Sequence, residues 1–424
     1  MFISIKIFML SMKLASGKPE KRVQAVTQLG EIGDKRTSPY LKSALRDREV
    51  AVQIAATKAI VQARDHSLCP QLLQVALDAH KDIMLRKSTA MAFLQLHGCF
   101  KNNIDRIIVC LLAPDVRSQE DVFDSDGYGH LMRGKMPVLP LSEIDRAKLG
   151  QDSDIALHEL TSGSEKGKTL AAWILGEIGD RRAIQPLESI VMKKPEEVTG
   201  SSIAAKQSVW ALGELGSAAI NSIKAALRSP TTAARIQALL VLEKHITSRT
   251  ERESISESIL ELIASESAHE SAHDNLLKNS VVFEALRIMS NMDIKDNRAI
   301  NCLIIALSNP TLCQKDNSDA TDNLAGFLAK LGDEQAVVPL MNLTLNSTCH
   351  ARGAYLALLT IVKRCIKTLP VEILNAVRKM GTVSVEQGVG GPDPGDYGIH
   401  LIELDCSEVK TLASKELRGR TGGI

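Results

Sequence analysis

The residues best suited to chemistry lie in a few short segments. His269-Glu-Ser-Ala-His273 matches the HExxH pattern, in which two histidines one helical turn apart share a face and hold zinc while the glutamate acts as general base. Such a helix is normally apolar and buried, whereas this one is flanked by Ser265-Glu-Ser-Ala268 and by Asp274-Asn275. A solvated polar loop is therefore the expectation, and His269, Glu270 and His273 are retained only as outside candidates for a metal. Ser162-Gly-Ser-Glu-Lys-Gly-Lys-Thr169 imitates a phosphate-binding loop, but it has three residues between its glycines and a serine where the first glycine belongs. A phosphate loop also needs a preceding strand. Asp124-Ser-Asp-Gly-Tyr-Gly129 has the look of a calcium loop, yet Val122 and Arg133 then fall on the first and last ligand positions, where carboxylates are required. The remaining histidines are scattered, and no catalytic or cofactor-binding residue is assigned.

Composition narrows the classes. Lys and Arg number 51 against 50 Asp and Glu, for a net charge of +1. A nucleic-acid partner is not expected, because phosphate neutralisation calls for a basic surplus. Aromatic residues make up only 3% against 44% apolar residues overall, which favours stacked helices over sheets. The eight cysteines form no CxxC pair, so reduced thiols, mostly buried, and a cytoplasmic location are expected. No apolar run reaches the roughly 18 residues of a membrane span. The apolar N-terminus, MFISIKIFMLSMKLASGK, is interrupted by Lys6 and Lys13 and reads as a first helix of the array rather than a secretory signal.

Self-similarity supplies the architecture. Arg22-Val-Gln-Ala-Val-Thr-Gln-Leu-Gly-Glu-Ile-Gly-Asp34 recurs as Lys168-Thr-Leu-Ala-Ala-Trp-Ile-Leu-Gly-Glu-Ile-Gly-Asp180, as Lys206-Gln-Ser-Val-Trp-Ala-Leu-Gly-Glu-Leu-Gly216 and, more weakly, at Asn323–Asp333. The leucine before the first glycine anchors the register at Leu29, Leu175, Leu212 and Leu328, with degenerate copies at Ile60, Leu94, Leu242, Leu286 and Leu359. Apart from the gap between Leu94 and Leu175, the intervals suit a two-helix repeat. Four residues before the anchor stands a small side chain, as at Ala25, Ala56, Ala90, Ala171, Ser208 and Ala238. Seven before it stands a base, as at Arg22, Lys87, Lys168, Arg235 and Arg352. Gly30 then permits close helix packing, and Gly33 suits the left-handed end of the helix. Asp34 is a turn or N-cap residue before the second helix, and Pro39 and Pro186 fall in the first turn of such second helices.

The pattern Leu175-Gly-Glu-Ile-Gly-Asp-Arg-Arg-Ala-Ile-Gln-Pro-Leu187 resembles the HEAT-like repeat named after phycobilisome lyases, from about residue 18 to about 365. The resemblance implies an all-α solenoid (an α-α superhelix of armadillo or HEAT type) of about nine helical hairpins. For function it implies less, since such repeats serve as protein-binding scaffolds, bilin-attachment factors and one class of iron hydroxylase. That hydroxylase, deoxyhypusine hydroxylase, carries His-Glu pairs six and five residues before the repeat leucine. Here those places hold Val23-Gln24, Thr169-Leu170 and Lys206-Gln207, so the resemblance stops at the scaffold. His158-Glu159 is out of register.

The expected organisation is N-terminal repeats over 1–113, an irregular insertion over 114–167, further repeats of the same solenoid over 168–378, and a tail over 379–424 that could hold a small β-hairpin. The same register puts the second helix of the Leu242 unit near Asn275, with the HExxH segment in the turn before it. The leading functional expectation is a scaffold that presents a concave helical surface to a partner protein, with no catalysis of its own and no cofactor. The alternatives are a lyase or chaperone-like factor for a cofactor-bearing protein and, more remotely, a metal enzyme.

Overall fold

Amphipathic segments of 7–19 residues, punctuated by Gly, Asp and Pro, fold here as consecutive helices. The computed structural model describes residues 2–96, 98–99, 103–114, 141–194, 201–245, 249–267, 281–307, 318–346, 351–381, 383–390 and 397–421. Contacts divide the chain into two units, Met1–Ala226 and Leu227–Ile424, a division that does not coincide with the insertion.

The first unit contains α1 (Phe2–Leu14), α2 (Pro19–Ile32), α3 (Ser38–Ala44), α4 (Val50–Gln62), α5 (Cys69–Leu77), α6 (Ile83–Gln95) and α7 (Asn103–Leu112). It continues with α8 (Glu143–Gly150), α9 (Ser153–Ser162), α10 (Glu165–Ile178), α11 (Ile184–Met192), α12 (Ser201–Glu214) and α13 (Ile220–Ala226). The second unit holds α14 (Thr232–His245), α15 (Arg249–Ser267), α16 (Val281–Asn291), α17 (Asn297–Leu307), α18 (Ser318–Leu331), α19 (Val337–Asn346), α20 (Ala351–Cys365) and α21 (Val371–Arg378). It ends in strands β1 (Val383–Gly390) and β2 (Tyr397–Leu404) and helix α22 (Ser407–Thr421).

All nine anchor residues lie on helices and are buried. They mark the first helices of successive hairpins, and these stack on one another: α2 on α4 on α6, α10 on α12, and in the second unit α14 on α16 on α18 on α20. The fold is the all-α solenoid. One hairpin cannot cover its own apolar stripe, so each is stabilised by its neighbours. Ala25, Ala56, Ala90, Ala171, Ser208 and Ala238 are fully buried, and these small side chains let adjacent first helices approach.

Gly30 shows how close that approach is. A Cβ built there would lie 2.6 Å from both Cα and Cβ of Ala59 on the next hairpin. Gly30→Ala must therefore separate α2 from α4, and it is expected to destabilise the first unit by about 1–3 kcal/mol, read as a lowered urea midpoint. Gly33 ends α2 at φ 62°, a conformation that costs an L-residue about 1–2 kcal/mol.

The stretch expected to be irregular, 114–167, contains two helices, α8 and α9, and α10 begins at Glu165 rather than 168. These helices are short, and local capping sustains them. Ser142 and Asp145 form a reciprocal capping box on α8, and Leu149, Ala156 and Leu160 supply the buried side. Residues 115–140 lie outside the described residues.

In the tail, β1 and β2 pair antiparallel with Val383 opposite Leu404 and Gly390 opposite Tyr397. Helix α22 packs on α21 and α20. Its Arg420 donates to the carbonyls of Leu369, Ile366 and Lys367 beyond the end of α20, which would otherwise be orphan acceptors. Among the described residues no helix is long and apolar enough to cross a membrane.

Candidate functional site

Several charged residues of the repeat hold one hairpin to the next. In the turn after a first helix an aspartate accepts from the backbone N–H two residues on: Asp34 from Arg36 at 2.9 Å, Asp180 from Arg182 at 3.0 Å, and Asp296 from Arg298 at 2.8 Å. In these three turns the residue two on is arginine, and its guanidinium folds back onto the same aspartate. It also reaches the second helix of the preceding hairpin: Arg36 to Ser4 on α1, Arg182 to Asp154 on α9, and Arg298 to Glu257 on α15. The arginine holds each aspartate below the ordinary carboxylate range, Asp34 at about 2. The stabilisation from such a depressed carboxylate is present above its unfolded pKa and is lost as pH falls through the folded value.

This clamp also settles the gap between Leu94 and Leu175. Arg182 treats α9 as Arg36 treats α1, so α8 and α9 stand as one further, shortened hairpin. Four ion pairs fix it in place. Arg86 on α6 donates to both oxygens of Asp152 at 2.6 and 3.0 Å, with both side chains fully buried. Lys87 meets Glu159 at 2.6 Å, Lys148 meets Asp105 on α7 at 2.7 Å, and Arg146 meets Glu177 on α10 at 3.5 Å. Arg22, a basic repeat residue in the same role, joins Asp47 at 2.8 Å and donates to the Ser16 carbonyl.

These links leave Ile144 of α8 in water and bring Arg146 to α10. Ile144 is 81% exposed, and Arg146, half-exposed, lies beside the half-buried Glu177. Burial raises the Glu177 carboxyl above its ordinary range. The Glu214 carboxylate on α12 adds to the shift and Arg146 opposes it. A carboxyl raised in the folded state stabilises most below its unfolded pKa and loses that contribution as pH rises through the folded value. Glu177→Gln is therefore expected to raise the Tm relative to the parent at pH 8 and to lose that advantage near pH 4. Thermal melts at the two pH values check this.

Two family models match the chain: HEAT repeats over residues 9–92, and the PBS lyase HEAT-like repeat over residues 170–191. The first covers the second half of α1, all of α2 to α5 and most of α6, and the second covers the last turns of α10 and most of α11. The chain is a HEAT-like repeat protein. No curated protein matches it. The HEAT-like register accounts for the phosphate-loop imitation: Ser164 caps α10 by accepting from Gly167 N–H, and Lys168 lies 3.8 Å from Glu165 in the first turn. It also absorbs His158-Glu159, since Glu159 on α9 is buried against Lys87.

His269, Glu270 and His273 lie outside the described residues, as does the Asp124–Gly129 turn. The second helix of the Leu242 hairpin is α15, Arg249–Ser267, not a helix near Asn275. The HExxH segment therefore comes after that helix instead of preceding it. Among the described residues no three His, Cys, Asp or Glu side chains come together to hold a metal ion. Of the described cysteines, Cys69, Cys110 and Cys406 are buried, with burial pushing the Cys110 thiol up to about 12. Cys99 is exposed, unlike the expectation of mostly buried thiols.

The residues missed from sequence are the clamp arginines and the α8 surface. The Asp-x-Arg spacing was visible at 34/36, 180/182 and 296/298. Ile144 carries no local signal, because it shares one short helix with Leu149 and the sequence does not say which of the two is covered.

Proposed function

We propose that this HEAT-like repeat protein is a cytoplasmic protein-binding scaffold without catalysis of its own, and that its partner docks on the outer side of α8. The observation that carries this is Ile144 on α8, a large apolar side chain almost wholly in water. An exposed large apolar side chain on a short charged helix has the character of an interface anchor. Residues 115–140 directly precede α8 in the sequence and are included in the proposed capture segment. Stacked repeats supply a rigid base for such a surface.

The test compares affinity capture from native cell extract by the intact chain, by Ile144→Asp, and by a chain whose residues 115–140 are replaced with a glycine–serine linker of equal length. Expected is a partner bound by the intact chain and lost from both variants at unchanged Tm. Equal recovery by all three would remove this surface. Recovery of nothing by the intact chain, together with measurable turnover of a substrate, would remove the scaffold reading.

The match of residues 170–191 to a lyase-type repeat favours a second reading, a factor that serves a cofactor-bearing protein. Mixing the chain with phycocyanobilin and following the bilin absorbance checks it, and an unchanged spectrum rejects it.

A further inference from the structure

Helix α1 is apolar on two opposite sides. At about 100° per residue, Ile7 and Leu10 fall together and are buried where α1 packs on α2. Directly opposite lies a second stripe of Ile5, Phe8, Met9 and Met12, exposed at 51%, 64%, 61% and 64%. One flank of the stripe is basic, and the other holds the Arg36–Asp34 pair. Lys6 and Lys13, both exposed, lie along one edge, and on the other edge Ser4 accepts from the Arg36 guanidinium at 2.8 Å. Residues 1–19 include three lysines and no acidic residue.

We propose that the outer stripe of α1 is a docking surface for an anionic lipid bilayer, lying in the interface plane rather than crossing it. Four large apolar side chains enter the acyl boundary, and Lys6 and Lys13 meet the acidic headgroups along one edge. That lysine edge selects this occupant over an antiparallel second copy of the same helix, whose lysines would be brought against these. The pattern is that of an interfacial helix, whose binding combines apolar burial with attraction to anionic lipid. It is separate from the α8 surface and does not depend on it.

The test is sedimentation of the full chain with phosphatidylcholine vesicles made with and without phosphatidylserine, together with size-exclusion chromatography and light scattering in the absence of lipid. Expected is binding to the phosphatidylserine vesicles that weakens with salt. Phe8→Asp should weaken it by about tenfold or more, the scale of losing one buried aromatic side chain. A Lys6→Glu/Lys13→Glu chain should also bind less, and both variants should melt with the parent, since these side chains are exposed. Failure to sediment with either vesicle, equal binding to both, or binding indifferent to Phe8→Asp overturns the proposal. So does self-association that Phe8→Asp abolishes in a chain that ignores vesicles.

Discussion

Arg86→Ala is expected to destabilise the first unit by about 3–5 kcal/mol, the scale of removing one partner from a buried ion pair. Arg86 and Asp152 are 2% and 3% exposed. The guanidinium donates twice to the carboxylate and once, through Nε, to the Ala76 carbonyl at 2.8 Å. Its removal leaves the buried Asp152 carboxyl with two acceptor oxygens unmatched, and leaves a backbone carbonyl orphaned. Most of the effect comes from those uncompensated groups rather than from the attraction itself. Arg86→Met combined with Asp152→Leu is therefore expected to recover much of the loss, because neither charge remains to be desolvated. Both tryptophans of the chain, Trp173 and Trp210, lie in this unit. Tryptophan fluorescence during urea unfolding thus reports on it directly.

Trp173→Ala is expected to cost a similar amount, about 3–5 kcal/mol, from lost burial and the cavity left behind. The informative comparison is Thr27→Ala, expected to change stability by no more than about 0.5 kcal/mol. The two residues hold the same place in the repeat, two before the anchor, yet Thr27 is exposed on α2 and Trp173 is 1% exposed on α10. The cause is local crowding, since α7, α8 and α9 all pack against α10 in addition to α12. Urea midpoints of the two variants, followed by Trp210 fluorescence, separate repeat position from environment. Similar effects at both places would mean that the α8–α9 hairpin does not cover α10.

The hairpins were legible in sequence because their defining contacts are short-range and repeated. The Leu29 anchor with Ala25 before it and Gly30 after it describes one packing event, and its copies at Leu175 and Leu212 describe the same event again. The α8–α9 hairpin escaped because eight- and ten-residue helices give too few turns for a period to stand out. What secures it is long-range, a bond between Arg86 and Asp152 that no local pattern encodes. The clamps were half legible: Asp34 could be read as a cap, but the reach of Arg36 to Ser4 crosses from one hairpin to another. The α8 surface was illegible for a similar reason, since Ile144 and Leu149 share one short helix and only the fold decides which is covered.

The central claim is that the array runs unbroken through residues 143–162. Native-state hydrogen exchange tests this most directly. Backbone amides of α8 and α9 are predicted to be protected to the same order as those of α6 and α10, and to lose that protection together in Asp152→Ala. Exchange of residues 143–162 at the rate of unstructured chain, with α6 and α10 still protected, would contradict the continuous array.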